Sequence, residues 1–304
     1  MAMNPSTPIT RRRALQACAV GTLSLPLLAP ALRAANPPAR ADAMQPRLAP
    51  PVSAHPGGLR LGVATRSLHS LSVDEAIKAL QVLRIFNAGV SNNHLPFSGT
   101  TDEVRAMAGK FHSAGIVITG SGVIKLPNDE AALRRAFENA KAAELVTLVC
   151  KPEIAALPQV ERFAREYDQR IAIHNHGPQD KLYPTSKEAM DRIQSLDARI
   201  GLCLDVGHTA RAGANPAEHI RRYARRIYEV HLKDSVAIAG AVSDVPTEVG
   251  AGRLDIPGIL QALLEINYNG VVAFEYEKMG GNPLTGLAES VGYVRGVLAA
   301  WAGK

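Results

Sequence analysis

The sequence predicts one (β/α)8 barrel over residues 57–304, and three observations lead to that fold class. From residue 59 onward, short apolar runs that end in polar residues alternate with amphipathic segments. Eight such units, each an apolar run followed by an amphipathic segment, fill about 245 residues, a length typical of this barrel. Continuous apolar strands linked by helices indicate a parallel sheet buried on both faces. An open doubly wound sheet is the alternative, but its first strand-to-helix turn, TRSLHSLS, lacks a glycine-rich phosphate-binding fingerprint.

The strands are predicted wherever a short apolar run is followed by polar residues. In chain order the runs are LRLGVAT (59–65), NAGVSNN (87–93), GIVITGS (115–121), LVTLVC (145–150), RIAIHN (170–175), IGLCLDV (200–206), IYEVHLK (227–233) and VVAFEYE (271–277).

Helices are predicted between these runs from start signals and apolar spacing. SVDEAIKALQVLRI (72–85) opens on Ser72 and carries Glu75 three residues later, which is the pattern of a capping box. The segments TSKEAMDRIQSL, NPAEHIRRYARRI and DIPGILQALLEI show similar start signals or apolar spacing. Strand and helix therefore alternate along the whole region.

The N-terminal region differs from the rest of the chain. TRRRALQ (10–16) precedes an uncharged apolar stretch (17–32) that Pro26 and Pro30 interrupt. This layout predicts a signal peptide of the twin-arginine type over 1–43, a linker over 44–56, and export to the periplasm. A basic tail or a membrane anchor is the alternative. Because the apolar run is short and broken by proline, we expect no stable membrane span.

Charge and cysteine content exclude several function classes. The formal net charge is +6, but five arginines and one aspartate in the first 43 residues contribute +4 of it. The remaining +2 predicts no nucleic-acid partner. Only Cys150 and Cys203 follow the predicted signal peptide, each in an apolar context, so we predict no disulfide framework. The sequence leaves the oligomeric state open.

Ionisable residues end four consecutive predicted strands, where a barrel builds its active site. Each of them alone is more often a hydrogen-bonded loop residue or a helix cap than a ligand. Strand alternation, however, places all of them on inward faces, where they form a mixed imidazole and carboxylate cluster. Such a cluster predicts one divalent metal ion. The predicted ligands are His174, Asp205, His231 and Glu275.

Four short motifs in the second half of the chain carry a family resemblance. They are DVGH (205–208), HLKD (231–234), GAGRLDIPGIL (250–260) and FEYE (274–277). Their order and their places at strand ends resemble the xylose isomerase-like barrels grouped as sugar phosphate isomerases and epimerases. The resemblance covers most of residues 59–300. It implies one divalent cation, for which Mn, Co, Zn and Mg are all candidates.

The resemblance also implies roles for individual residues. Asp205, His231 and Glu275 take the places of three family ligands, and His208 that of a substrate-contacting histidine. Many members read ENHG where this chain reads HNHG, so His174 stands in the place of the first of two catalytic glutamates. A neutral imidazole still binds a metal, but it does not reproduce proton exchange between paired glutamates.

Together the cluster and the resemblance predict an enzyme that removes a proton next to the carbonyl group of a small sugar or keto-glycoside. Glu275 is the predicted general base. Lys125 and Asp234 are weaker candidates, the latter for orienting a neighbour or the chain turn. The other predicted site residues are His174, His208 and Lys233 for proton relay, and His176, His94 and Glu153 for substrate contact.

The sequence leaves several functions open. The first is sugar isomerisation or epimerisation, and the second is β-elimination from a 3-keto-glycoside with release of the aglycone. The missing glutamate and the predicted export favour the second, while the frequency of isomerases and epimerases in the resembled family keeps the first level with it. A sugar-binding barrel without turnover is the third, while near-neutral charge argues against a DNA-repair endonuclease. No arginine cluster marks a phosphate site, although backbone amides of residues 250–252 are candidates for one.

Overall fold

The computed structural model describes residues 58–236 and 245–302. The predicted signal peptide and linker lie outside these residues and remain predictions. No helix of the described part is long and apolar enough to cross a membrane. Cys150 and Cys203 are both buried and unbridged.

The strands form where the apolar runs of the sequence predict them. In chain order the described strands are β1 (Arg60–Ala64), β2 (Asn87–Val90), β3 (Val117–Ser121), β4 (Ile124–Leu126), β5 (Thr147–Pro152), β6 (Arg170–His174), β7 (Ile200–Asp205), β8 (Ile227–Leu232), β9 (Asp234–Ser235), β10 (Pro246–Thr247) and β11 (Val271–Phe274).

Eight of the described strands close into a parallel barrel. Their order is β3-β2-β1-β11-β8-β7-β6-β5, and β3 pairs with β5 through Gly120 and Thr147 to close the ring. The predicted (β/α)8 barrel is therefore confirmed. β4 extends the edge of β5, and β9 pairs with β10 in a separate two-stranded sheet. The sequence did not predict these three strands, because runs of two or three residues are too short to show a period.

Helices cover the outside of the barrel, and most of the described ones begin after a polar residue whose side chain caps the helix. Ser72 with Glu75 forms the predicted capping box, and Thr100 with Glu103 and Thr185 with Glu188 form two more. The described helices are α1 (Val73–Val82), α2 (Thr101–Ser113), α3 (Glu130–Ala142), α4 (Leu157–Glu166), α5 (Ser186–Ile193), α6 (Val206–Arg211), α7 (Pro216–Tyr223), α8 (Ile256–Glu265) and α9 (Pro283–Ala302). Those that begin after such a capping residue are α1, α2, α3, α5, α6, α7 and α8.

The core has two parts because each strand alternates its side chains. Outward residues such as Leu61 and Val63 pack with the helices in one large hydrophobic cluster. The inward residues are smaller and form two minor clusters. The polar residues of the predicted cluster lie beyond these small residues, toward the carboxyl ends of the strands. The inward residues of the two minor clusters are Ala64, Val271 and Ala273, and Val149, Ala172 and Cys203.

Candidate metal centre

Four side chains from neighbouring strands converge at the carboxyl end of the barrel. His174 and Asp205 end β6 and β7, while His231 lies in β8 and Glu275 follows β11. One nitrogen or oxygen atom of each lies within 4.8 Å of the others. His231 Nδ1 is 3.0 Å from His174 Nε2 and 3.3 Å from Glu275 Oε2. The structure thus brings together the four residues that strand alternation points inward.

These four residues fit a divalent metal ion. Asp205 Oδ2 and Glu275 Oε2 are buried, and neither accepts a hydrogen bond from any described residue. Lys233 Nζ lies 3.1 Å and 2.8 Å from them, but a buried carboxylate oxygen that accepts no hydrogen bond remains costly. A cation among the four side chains would satisfy both oxygens and would have two imidazole nitrogens as further ligands. The donor set suits zinc, cobalt or manganese and does not select one of them.

Asp205 is held so that one of its oxygens faces the cluster. Its Oδ1 accepts a hydrogen bond from the backbone N of His208 at 2.7 Å and so caps α6. Asn175 accepts from the backbone N of Asp205 at 3.0 Å and donates to its carbonyl oxygen at 3.3 Å. Burial opposes ionisation, but nearby positive charge, including that of Lys233, keeps the pKa of the Asp205 carboxyl group well below its ordinary value. Asp205 is therefore an ionised, oriented carboxylate that could serve as a ligand.

Lys233 lies beside the cluster as a buried ammonium group. Its Nζ is 3.1 Å from Asp205 Oδ2 and 2.8 Å from Glu275 Oε2, at angles outside hydrogen-bond geometry. It also donates to Glu277 Oε2 at 2.8 Å. Burial disfavours the charge, but these carboxylates raise the pKa of Lys233 well above its ordinary value. Lys233 therefore supplies positive charge and hydrogen bonds rather than acting as a base.

The glycine of the DVGH motif makes room for that lysine. A Cβ atom on Gly207 would lie 2.6 Å from Lys233 Cγ. Any larger residue would displace the lysine stem from its place between the carboxylates. The glycine is therefore a packing requirement of the site.

Two further histidines line the cavity as neutral imidazoles. Arg211 Nη2 lies 2.9 Å from His208 Nδ1, and because arginine only donates, the proton of His208 is on Nε2. Burial lowers the pKa of His208 to about 3. Burial is the main cause that lowers the pKa of His176 to about 3 as well. His176 packs 4.5 Å from His174 between ring centroids, so it is a wall residue of the site.

The cluster opens into a cavity of about 380 Å³. This volume suits a small molecule, and its polar lining suits a polyhydroxylated one. Glu277 and Arg66, 4.0 Å apart, lie at its edge and were not singled out from the sequence. Besides the cluster and its histidines, the lining includes Arg66, Ser91, Asn92, Asn93, Lys233 and Glu277.

The structure corrects two predicted substrate contacts. His94 is 1% exposed and does not line the cavity. Its Nδ1 is 2.9 Å from Thr65 Oγ1 and its Nε2 is 3.1 Å from the Leu71 carbonyl, so it ties two loops together. Glu153 is exposed outside the cavity and accepts a hydrogen bond from the backbone N of Asn128. Lys125 in β4 is also exposed and outside the cavity.

The candidate phosphate amides are engaged within the protein. The backbone N atoms of Gly250 and Gly252 each donate to Asp234 Oδ2 at 3.0 Å, and that of Leu254 donates to Asp234 Oδ1 at 3.1 Å. A Cβ atom on Gly252 would lie 2.1 Å from Asp234 Oδ1. Glycine at this position allows the loop to close around the carboxylate. The structure therefore corrects the suggestion that these amides form a phosphate site.

Comparison with known proteins is consistent with this architecture. Residues 152–297 match the family model described as xylose isomerase-like TIM barrel. The chain is 31% identical to the rhizopine catabolism protein MocC of Rhizobium meliloti over 159 residues, 44% of this chain and 48% of that protein. It is 29% identical to an inosose dehydratase of Clostridium botulinum (strain Eklund 17B / Type B) over 140 residues, 40% of this chain and 45% of that protein. The chain spans about half the length of these relatives.

A solved structure agrees over more of the chain. The IolI protein, whose crystal structure has a bound zinc atom, matches with a TM-score of 0.68 and 17% identity. The match covers 80% of this chain and 99% of that chain. This likeness shows the fold, and the xylose isomerase-like (β/α)8 barrel predicted from the sequence is confirmed.

Proposed function

We propose that this chain is a divalent-metal-dependent enzyme that removes a proton from the carbon next to a carbonyl group in a small polyhydroxylated substrate. The observation that carries the proposal is the set of two imidazoles and two carboxylates that converge beneath a polar cavity, with one buried oxygen of each carboxylate accepting no hydrogen bond from the described residues. The relative named as an inosose dehydratase supports a cyclic keto-polyol or keto-sugar as substrate.

The residues around the cluster divide the chemistry among them. When bound, a divalent cation supplies a Lewis acid that lowers the cost of enolising a carbonyl compound. Burial raises the pKa of the Glu275 carboxyl group, but the ammonium of Lys233 beside it outweighs burial and holds that pKa well below its ordinary value. Glu275 is therefore ionised and acts as the general base. The ammonium of Lys233 stabilises the oxygen on which negative charge develops.

The cluster favours elimination over isomerisation or epimerisation. His174 stands where the resemblance implies a second glutamate, so no matched carboxylate faces Glu275 to return the proton from the opposite side. Elimination does not need one. Glu275 takes the α proton, the C–O bond at the β carbon breaks, and the protonated Glu275 returns its proton to the departing oxygen. The products are an unsaturated ketone and either water or, from a 3-keto-glycoside, the free aglycone.

The site also favours a substrate without phosphate. The amides of Gly250 and Gly252 donate to Asp234, and that of Ala251 donates to the carbonyl oxygen of Glu248. Arg66 lies near Glu277, whose carboxylate offsets its charge. The neutral His176 and His208 and the asparagines of the lining suit hydroxyl groups.

A substrate panel tests the proposal directly. The metal-loaded protein would be incubated in heavy water with inososes, 3-keto-glucosides and ketoses, and followed by proton NMR. We expect loss of the proton next to the carbonyl and formation of an unsaturated product. An isomer or epimer carrying deuterium would instead support isomerisation. If no substrate exchanged its proton, the proposal of an enzyme would be overturned and a sugar-binding barrel would be favoured.

Glu275→Gln is the control variant for this panel. The amide keeps the shape of the side chain but cannot accept the proton, so we expect exchange to fall about 100- to 10,000-fold. Circular dichroism and thermal unfolding would verify that the barrel is intact. Exchange within a few fold of the wild-type rate would remove Glu275 from the role of base.

We also propose that the chain is exported through the twin-arginine pathway. Support comes from the arginines of TRRRALQ and the apolar stretch that follows them. Replacing Arg11, Arg12 and Arg13 with lysine is expected to retain the protein in the cytoplasm. Cell fractionation of the tagged full chain would measure this, and equal periplasmic amounts of both forms would contradict it.

A further inference from the structure

A carboxyl side chain lies where the barrel interior is otherwise small and apolar. Glu229 in β8 is 1% exposed and shares an inward face with His231, two residues further along the strand. Its partners across the ladders are Cys203 of β7 and Val271 of β11. A carboxyl group buried among such neighbours is costly unless it has a specific partner.

The partner of Glu229 is one of the four clustered residues. His231 Nε2 lies 3.2 Å from Glu229 Oε1. Because a carboxylate only accepts, this contact places the His231 proton on Nε2. In the neutral ring, which is the form that binds a cation, the other nitrogen, Nδ1, then carries the lone pair, and it is the one that lies near His174 and Glu275. The contact thus fixes both which nitrogen faces the cluster and how the ring is turned.

The opposite side of the barrel is shaped to accept this side chain. A Cβ atom on Gly120 of β3 would lie 2.4 Å from Glu229 Oε2, and one on Gly89 of β2 would lie 3.2 Å from Oε1. A residue larger than glycine at position 120 would therefore push the carboxyl group away from His231. Glu229 does not line the cavity, so it acts on substrate only through its partner.

We propose that Glu229 is a positioning residue for the metal site, which presents Nδ1 of His231 to the cation and increases its basicity. The inference rests on the proposed metal-dependent function and assigns to that site a partner that the sequence motifs do not reveal. A carboxylate that holds a metal-bound histidine in this way typically raises metal affinity about 10- to 100-fold.

Three variants of the full chain test the assignment by zinc affinity, measured in competition with a chromophoric chelator. Glu229→Leu removes the acceptor but keeps an apolar side chain of similar size, and we expect zinc to bind about 10- to 100-fold more weakly. Glu229→Gln keeps an acceptor oxygen without the charge, so its affinity is expected to lie between those of wild type and Glu229→Leu. Val271→Ala, which trims the apolar neighbour of Glu229, is the matched control and is expected to bind as wild type.

A spectroscopic readout separates positioning from packing. In the cobalt-loaded wild-type protein, the Nε2 proton of His231 should give a paramagnetically shifted NMR signal that exchanges slowly with water. Glu229→Leu is expected to lose that signal or to exchange it rapidly, while Glu229→Gln, the variant most certain to fold, is expected to retain it with faster exchange.

Each outcome has a defined meaning. Equal zinc affinity and an unchanged signal in Glu229→Leu would overturn the role of Glu229 while leaving the metal site in place. An equal loss of affinity in Val271→Ala would also overturn it, because packing alone would then explain the effect. Failure of the wild-type protein to bind zinc or cobalt would overturn the metal-dependent function together with this inference.

Discussion

His174 is the residue that most distinguishes this cluster from one built on two glutamates. We expect His174→Ala to weaken zinc binding by more than about 100-fold, because it removes a ligand rather than a supporting partner. His174→Glu is expected to keep the metal and to raise the share of epimerised product, since a second carboxylate then faces Glu275. Chelator competition and product NMR would measure both effects. Unchanged zinc affinity in His174→Ala would remove this residue from the ligand set.

His94 stabilises the fold rather than contacting substrate, and its contribution to the free energy of unfolding depends on pH. Burial lowers the pKa of the His94 imidazole below its ordinary value, so protonation favours the unfolded chain. The contribution of His94 to the stability of the fold is therefore complete above about pH 6.5 and is lost as the pH falls below that value. His94→Gln is expected to be less stable than wild type by about 2 kcal/mol at pH 7.5, with the difference shrinking toward pH 5. Urea unfolding at both pH values checks this, and a constant difference would contradict it.

Single residues were predictable when strand alternation decided their direction. His174 and Asp205 point inward because an extended strand has a period of two, and this requires no knowledge of loops. His94 and Glu153 lie in connections, where the sequence carries no such rule, so their contacts could not be predicted. Strand alternation could have predicted that Glu229 points inward, because it lies two residues before His231 in β8. Glutamate is rarely buried without a partner, and the sequence alone does not show which residue that partner is.

At the scale of elements, Asp234 holds the loop before α8 by accepting several backbone N–H groups. Asp234→Ala would leave those of Gly250, Gly252 and Leu254 without their acceptor in a part-buried loop. We expect this to lower the free energy of unfolding by about 3 kcal/mol. Asp191→Ala is the control, because Asp191 pairs with Lys187 on the exposed face of α5 and should contribute less than about 0.5 kcal/mol. Equal losses in the two variants, measured by urea unfolding, would contradict the proposed role.

The elements that the sequence predicted well are those with a long enough pattern. The apolar run of β7 and the capping box of α1 can each be recognised from a few consecutive residues. The pair of β9 and β10 depends on a hydrogen-bonding partner eleven or more residues away. The GAGRL loop shows why a motif alone misleads, because its glycines suggest an anion site while the structure uses them to enclose Asp234.

For the molecule as a whole, the barrel brings residues that are far apart in the sequence into contact. The four clustered residues span positions 174 to 275, and adjacent strands bring them within 4.8 Å. Such a site exists only in the folded chain, so a cation that binds there stabilises the fold by mass action. Asp205 Oδ2 and Glu275 Oε2 lie near Lys233 but accept no hydrogen bond from the described residues, so a cation would give each of them a further stabilising partner.

Metal removal is therefore expected to destabilise the whole barrel rather than one loop. At a free zinc concentration 1,000 times the dissociation constant, binding contributes about 4 kcal/mol to the free energy of unfolding. Calorimetry of the chelator-treated protein with and without added zinc would show the unfolding temperature rising with metal concentration. His174→Ala supplies the control, since it should show little of this shift. An unfolding temperature that zinc leaves unchanged in the wild-type protein would mean that the four side chains share no cation.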